Sequence, residues 1–588
     1  MLRGTPASFF VMAAGVPLGV LLAWAELRLP ALVVSEVTGG QTFLHAALAA
    51  GGLLALTFLA VGLRDFCKTI LEAQESRYRF YLTSCLEEKS MAMFYQTYEK
   101  KQTRDLRKRA EEASYMMNGK VPLCQVPNLM TELIRNALCY ALFGTILSRI
   151  SPLLLVLLTL AALVNLLCVR AYNRYEYASR GERTDIGRRL RYVSKNAADF
   201  AAAKDIRIYG MATWLRETFS DLFRQDTAWS ARLNRRLLLG RLVDLLVILL
   251  RDGGAYALLL VMAVRGELRP DEFVLYFSAI SGFATFIGNM ISAWNEMQTA
   301  SLKVSDYRQF MELPDTDGTG TAHAADHREH APEITFDHVS FRYDGAAHDT
   351  LHDISLTLRA GEHVALGLNG AGKTTLVKLL CGLYAPTSGT IRIDGVPAAE
   401  FRRDDYAALF APVFQEVRTA YFSLAETAAC AFGPEVDRER AERCLRAAGL
   451  GEKLDALPHG MDTHLDKQVN PDGIELSGGE AQKLMMARAL YKDAPVLVLD
   501  EPTAALDPIA ENEIYEQYRR MAAGKTSLFI SHRLASTRFC DRIVLLRDGG
   551  IAEEGTHETL LAAGGEYARL YEIQSCWYQP GYQGGEQA

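Results

Sequence analysis

Gly367-Leu368-Asn369-Gly370-Ala371-Gly372-Lys373-Thr374 decides the fold of this chain. It follows the apolar run Val364-Ala365-Leu366, which reads as a strand, and a helix is expected to begin at Lys373. Glycines at this spacing suit a loop whose backbone N–H groups curl around phosphate oxygens. A Cβ would block both the positive φ angles and the close approach. Lys373 adds a point charge on the outer phosphates, Thr374 offers a hydroxyl to Mg²⁺, and Thr375 stands next to them. A glycine-rich strand-to-helix turn with no ligand is the bland alternative, and the remaining sequence argues against it.

Further along, Val496-Leu497-Val498-Leu499 is a run of β-formers ending in Asp500 and Glu501. Ligands bind at the C-terminal edge of a parallel sheet, so these acids are placed for chemistry. Asp500 is expected in the Mg²⁺ shell, with Glu501 polarising an attacking water as general base. Just before that strand lies Leu476-Ser477-Gly478-Gly479-Glu480, followed by a helical pattern over residues 481–491. A serine and two glycines at a helix N-terminus leave N–H groups and the helix dipole facing an anion. The S-x-x-E spacing is also a plain capping box, so this segment alone would be weak evidence.

Together these segments resemble the nucleotide-binding domain of ATP-binding cassette (ABC) transporters, over residues 334–574. The resemblance implies further roles. Tyr343, in Phe341-Arg342-Tyr343, matches the aromatic that stacks on adenine, and Gln415, in Val413-Phe414-Gln415, matches the glutamine that links Mg²⁺ to the membrane domain. Asp507 matches the loop that crosses to a partner subunit, and His532, in Ser531-His532-Arg533, the switch histidine near the γ-phosphate. Gly367, Asn369, Gly370, Ala371 and Gly372 form the phosphate loop, and Ser477, Gly478 and Gly479 serve the ATP of the opposite subunit. One cassette per chain therefore implies a dimer with the same or a related chain. The sequence departs from the family at Glu480, where glutamine is usual, and over residues 466–475, which lack the usual glycine-and-arginine wording.

The other half of the chain is apolar. Its 588 residues exceed one domain, and 49% hydrophobic residues with a mean hydropathy near zero suggest a soluble part averaged with a membrane part. Six spans are expected, at residues 9–29, 44–61, 133–147, 152–169, 242–264 and 273–293, each near the roughly 20 residues that cross a bilayer core. Arg64, Lys68, Arg77 and Arg79 follow the second span, and Arg170, Arg174, Arg180 and Arg183 the fourth. The outer turns hold only Arg149, Arg265 and Arg269. Both termini are thus expected to be cytoplasmic. Ala23-Trp24-Ala25 after an apolar run also fits a signal-peptide cleavage site, but cleavage would leave five spans, and an intact first span is the reading adopted.

Residues 64–129 and 172–239 are too long and periodic for turns. They read as helices that leave the bilayer, reverse and return, a layout that resembles the exporter-type ABC half-transporter. Docking helices are expected near residues 94–103 and 203–211, the second with Ile206, Ile208 and Tyr209 as apolar contacts. The expected fold class is a six-span α-helical membrane bundle fused to a cytosolic α/β P-loop domain with a helical subdomain. The expected division is 1–312 membrane domain, 313–333 linker, 334–575 cassette and 576–588 disordered tail.

Asp244, Arg251 and Asp252 interrupt the fifth span, where a charge costs about 2.5–3.5 kcal/mol on insertion scales. They are candidates for a cargo cavity, with pairing of Arg251 to Asp244 or Asp252 as the alternative. His323, His327 and His330, with Asp326 and Glu329, stand in a polar linker. A mobile histidine-rich tether is the reading adopted, a metal site the alternative. Ten cysteines without a C-x-x-C pair imply neither a disulfide framework nor a zinc site. The net charge of −7 is mild, and no nucleic-acid partner is expected. ATP and Mg²⁺ are the expected cofactors, and the lipid bilayer, a second half-transporter and an unidentified cargo the partners. The expected function is ATP-driven export of a peptide, lipid or amphipathic small molecule from a bacterial plasma membrane, with an importer-like use of the architecture or an ATP-gated channel or regulatory subunit as rivals.

Overall fold

The computed structural model describes residues 6–39, 42–114, 121–150, 152–200, 202–315, 320–323, 327–367, 372–415, 422–467, 469–500, 508–531 and 534–576. The chain forms two compact units: Met1–Glu88 with Leu106–Glu312, and Lys89–Asp105 with Leu313–Ala588.

The first unit is helical. Its long helices are α1 (Pro6–Thr38), α2 (Phe43–Ala92), α5 (Pro122–Ser148), α6 (Pro152–Ala198), α8 (Ala212–Val264) and α9 (Pro270–Met311). Between them lie α3 (Tyr95–Glu99), which belongs to the second unit, α4 (Lys101–Ser114) and α7 (Ala203–Ile208). Among the described residues four helices, α1, α2, α8 and α9, are apolar and long enough to cross a membrane. The third and fourth expected spans fall within α5 and α6. Apolar side chains such as Phe58 (83% exposed) and Leu250 (76%) face outward, as lipid contact requires.

Close helix approach holds this unit together. Leu27, Phe143, Leu147, Leu158, Leu259 and Phe283 form its core. A Cβ on Gly282 of α9 would meet Phe143 of α5 at 2.6 Å, and one on Gly144 of α5 would meet Phe283 of α9 at 3.6 Å. Each aromatic ring thus lies over a glycine of the facing helix. Small residues at such crossings let packing replace the hydrophobic drive that lipid removes.

In the second unit, β1 (Ile334–Phe341), β2 (Leu351–Leu358), β4 (Ser388–Ile393) and β5 (Val396–Pro397) form an antiparallel sheet in the order β2-β1-β4-β5. The main sheet runs β10 (Gly550–Gly555), β9 (Arg542–Arg547), β3 (His363–Gly367), β8 (Thr526–Ile530), β7 (Val496–Asp500) and β6 (Phe410–Val413). It is parallel except for the β9–β10 hairpin. Strands β7 and β8 are buried throughout, which accounts for the unbroken apolar run Val496–Leu499 of β7.

The short helix α3 packs inside this second unit. Arg403 donates to the carbonyls of Ala92 and Met93 at 3.2 and 3.3 Å. The Ala385 N–H donates to Gln96 at 3.2 Å, and the Tyr384 hydroxyl donates to Glu99. In the first unit, α7 presents Ile208 and Tyr209 to solvent.

Candidate nucleotide-binding site

Register places the site at one sheet edge. In β3, Leu366 pairs with Ile530 of β8, and Ile530 pairs with Asp500 of β7. The C-terminal tips of these three strands therefore end level. The phosphate-loop segment leaves from Gly367, Glu501 follows Asp500, and His532 follows Ser531.

Gly372 caps the helix Lys373–Leu380 with φ of 92°, in the left-handed region. A Cβ there would lie 2.6 Å from Leu351 and 3.1 Å from the Thr350 carbonyl, so glycine is demanded twice over. Lys373 and Thr375 are buried at the start of this helix. Asn369, Gly370 and Ala371 lie outside the described residues, as do Glu501, Asp507 and His532.

Thr374, Gln415 and Asp500 line one cavity of about 1330 Å³, together with Lys378 and Arg488. Asp500 is 2% exposed. A hydroxyl, an amide and a carboxylate are hard oxygen donors, the set that suits Mg²⁺ beside phosphates. All three residues expected to hold the cation line this cavity. Tyr343 is more integrated than an adenine platform needs to be. Its ring meets Phe341 and Tyr384 edge-on at 5.0 and 5.7 Å, and its hydroxyl lies 3.0 Å from that of Thr375.

Ser477 caps the helix Gly478–Lys492, which begins three residues before the expected pattern because the capping box extends it. The Glu480 N–H donates to Ser477 Oγ at 3.3 Å, and the Ser477 N–H to Glu480 Oε2 at 2.9 Å. Lys453 Nζ lies 2.9 Å from the same carboxylate. Burial pushes the Glu480 carboxyl up, but the Ser477 N–H and Lys453 outweigh it and hold the group below its ordinary range. Sequence reasoning missed Lys453, because nothing local marks it as a partner of the capping helix.

In the membrane unit, Arg251 donates to Asp252 through Nε at 2.7 Å and Nη2 at 3.1 Å. This is the pairing alternative for these charges; the Asp244 side chain lies outside the described residues. A cavity of about 810 Å³ lies elsewhere, between α1, α2 and α5, with Arg64, Lys68, Arg79, Arg135, Glu72 and Glu132 among its lining. Apolar Val11, Val16, Leu71 and Leu129 complete its wall. Sequence reasoning took Arg64, Lys68 and Arg79 as markers of orientation and missed that they converge. The arginine at 135 extends over Gly19, where any Cβ would collide with its side chain.

Residues 351–504 match the ABC transporter family. The ATP-dependent lipid A-core flippase of Burkholderia pseudomallei (strain 1710b) is 45% identical over 245 residues, 41% of this chain and 40% of that protein. The flippase of Cupriavidus metallidurans is 41% identical over 245 residues, 41% of each. The chain thus matches about two fifths of the length of these relatives. A bacterial Atm1-family ABC exporter solved with ATP bound superposes with a TM-score of 0.79 at 22% identity, covering 97% of this chain and 99% of that one. The chain therefore shares the fold of that exporter, with a segment that matches the ABC transporter family following a long-helix unit.

Proposed function

We propose that this chain is one half of a dimeric, ATP-hydrolysing exporter of a bacterial inner membrane, with both termini cytoplasmic and an amphipathic lipid or lipid-like cargo. The observation that carries the reading is the convergence of Thr374, Gln415 and Asp500 on one cavity beside the left-handed Gly372. The partial likeness to lipid A-core flippases supports the cargo class, and so does the α1–α2–α5 cavity, whose charged and apolar walls suit a polar head with a hydrocarbon tail.

In this reading the backbone N–H groups between Gly367 and Lys373 cradle the phosphates, and Lys373 neutralises the outer ones. Thr374, Gln415 and Asp500 would hold Mg²⁺, which would supply charge neutralisation at the phosphates. Glu501 takes the proton of the attacking water, and His532 steadies the γ-phosphate. Ser477, Gly478 and Gly479 present their helix N-terminus to the nucleotide of a second copy, with Asp507 at the same junction. Closure of two cassettes is then the two-state element that ATP biases and hydrolysis releases.

The test is reconstitution of the purified chain in vesicles containing headgroup-labelled lipid. MgATP should drive label from one leaflet to the other, and the Glu501→Gln variant should not. Hydrolysis with no movement of lipid or lipid-like amphiphiles would overturn the cargo reading, and absence of MgATP hydrolysis would overturn the pump.

A further inference from the structure

The tether between α9 and β1 carries a cluster that nucleotide chemistry does not use. His327 Nδ1 lies 2.7 Å from Asp394 Oδ2, and His330 Nε2 lies 3.0 Å from the same oxygen. The three donor atoms lie within 4.8 Å of one another. Asp394 occupies the turn between β4 and β5 with φ of 48°, and its other oxygen accepts the Glu333 N–H at 2.8 Å. His327 is held by an edge-on contact of 5.4 Å with Phe401, a core residue. Two of the three donors are thus oriented by a surrounding shell, as ligand side chains are in metal sites.

We propose that His327, His330 and Asp394 form a Zn²⁺ site that pins the tether to the antiparallel sheet of the cassette. Two imidazoles and one carboxylate are the nitrogen and oxygen donors that zinc accepts, with solvent in the fourth position beside the exposed His330. Metal–ligand bonds of about 2.0–2.1 Å in a tetrahedron set donors about 3.3–3.4 Å apart. The two imidazole-to-carboxylate separations, 2.7 and 3.0 Å, therefore need to open by only a few tenths of an ångström, and the two imidazole nitrogens already lie within 4.8 Å of each other. Two neutral imidazoles exclude the all-oxygen shell that Ca²⁺ and Mg²⁺ prefer. The absence of a thiolate argues against Cu⁺. Other tether contacts differ in kind: His323 meets a separate carboxylate, Asp405, at 3.3 Å and brings no second imidazole.

The site stands apart from the nucleotide reading and is tested separately. The full chain, purified through a tag without histidines and stripped with a chelator, is titrated with Zn²⁺ by calorimetry and with Co²⁺ by absorption. The expected result is one saturable ion per chain, the visible bands of four-coordinate Co²⁺, and a Zn²⁺-dependent rise in the unfolding midpoint. Loss of a supporting residue around a zinc ligand costs about 10–100-fold in affinity, so His327→Ala and Asp394→Asn should weaken binding by at least about 100-fold. His330→Gln, at an exposed position, serves the same purpose should the buried variants fail to fold, and His323→Ala should bind as wild type. No saturable binding, or equal binding by wild type and all three ligand variants, overturns the proposal and leaves the cluster as two hydrogen-bonded imidazoles.

Discussion

The Lys453 ammonium lies 2.9 Å from the Glu480 carboxylate, at the N-terminus of the helix whose first turn carries Ser477, Gly478 and Gly479. A carboxylate in that turn opposes an incoming phosphate, and Lys453 cancels its charge. An ion pair of this partial exposure is worth about 0.5–1 kcal/mol. Lys453→Met should therefore lower MgATP turnover about two- to fivefold. Glu480→Gln in the same chain should restore it, since the charge needing cancellation is gone. Steady-state ATPase assays of both singles and the double variant decide this; a double variant as slow as Lys453→Met would contradict the charge account.

Glu501 follows the last residue of β7 in the sequence and is proposed as the general base. Glu501→Gln should retain nucleotide binding while slowing hydrolysis by about 10²-fold or more. Phosphate release, measured beside equilibrium ATP binding, separates the two effects. Wild-type turnover in this variant would remove the assignment.

At Gly372, any side chain must adopt a left-handed backbone and displace Leu351. The backbone cost alone is about 1–2 kcal/mol. Gly372→Ala is expected to weaken binding of a fluorescent ATP analogue by about tenfold or more. Unchanged affinity would show that the helix can start without this bend.

The membrane-unit cavity gives a prediction about cargo. Arg135 is a charged donor on its wall, and hydrogen bonds to charged groups contribute about 1.5–3 kcal/mol. Arg135→Met should reduce apparent cargo affinity about tenfold in lipid-stimulated ATPase titrations. Gly19→Leu, which displaces the same side chain, should act in the same direction. Titration curves identical to wild type in both variants would place the cargo elsewhere.

Acid should loosen the helix Leu424–Ala429. Its capping-box residue Glu426 accepts the N–H of the N-cap Ser423 at 3.0 Å, and this bond holds its carboxyl below the ordinary range. A lowered folded value means the contribution is present above the unfolded carboxylate range and is lost as pH falls through the folded value. Unfolding midpoints measured between neutral pH and about pH 3 should fall more steeply for wild type than for Glu426→Gln. Parallel curves would show that the cap contributes nothing.

How much of this was legible depends on how local each signal is. The phosphate loop, the Ser477 cap and the β7 run lie in short contiguous segments whose backbone demands are written into their residue types. Strand order then brought Thr374, Gln415 and Asp500 to one cavity. The Lys453 partner of Glu480 was hidden because it comes from another helix, and the α1–α2–α5 cavity because its charges come mainly from α2 and α5, far apart in sequence, and its apolar wall includes α1. Arg251 stood out because its span is apolar, and the structure shows it hydrogen-bonded to Asp252, the next residue in the chain. The tether histidines read as a solvated run because the aspartates that receive them lie beyond β1.

The segment Lys89–Asp105 sets a condition on dissecting this polypeptide. A fragment excised from Leu313 onward leaves behind Gln96 and Glu99, which serve Ala385 and Tyr384, and the carbonyls that Arg403 reaches. Such a truncated cassette would retain the edge where β3, β7 and β8 end but expose an unfilled seat on its flank. Supplying a synthetic peptide spanning residues 89–105 in trans should then raise the fragment's melting temperature.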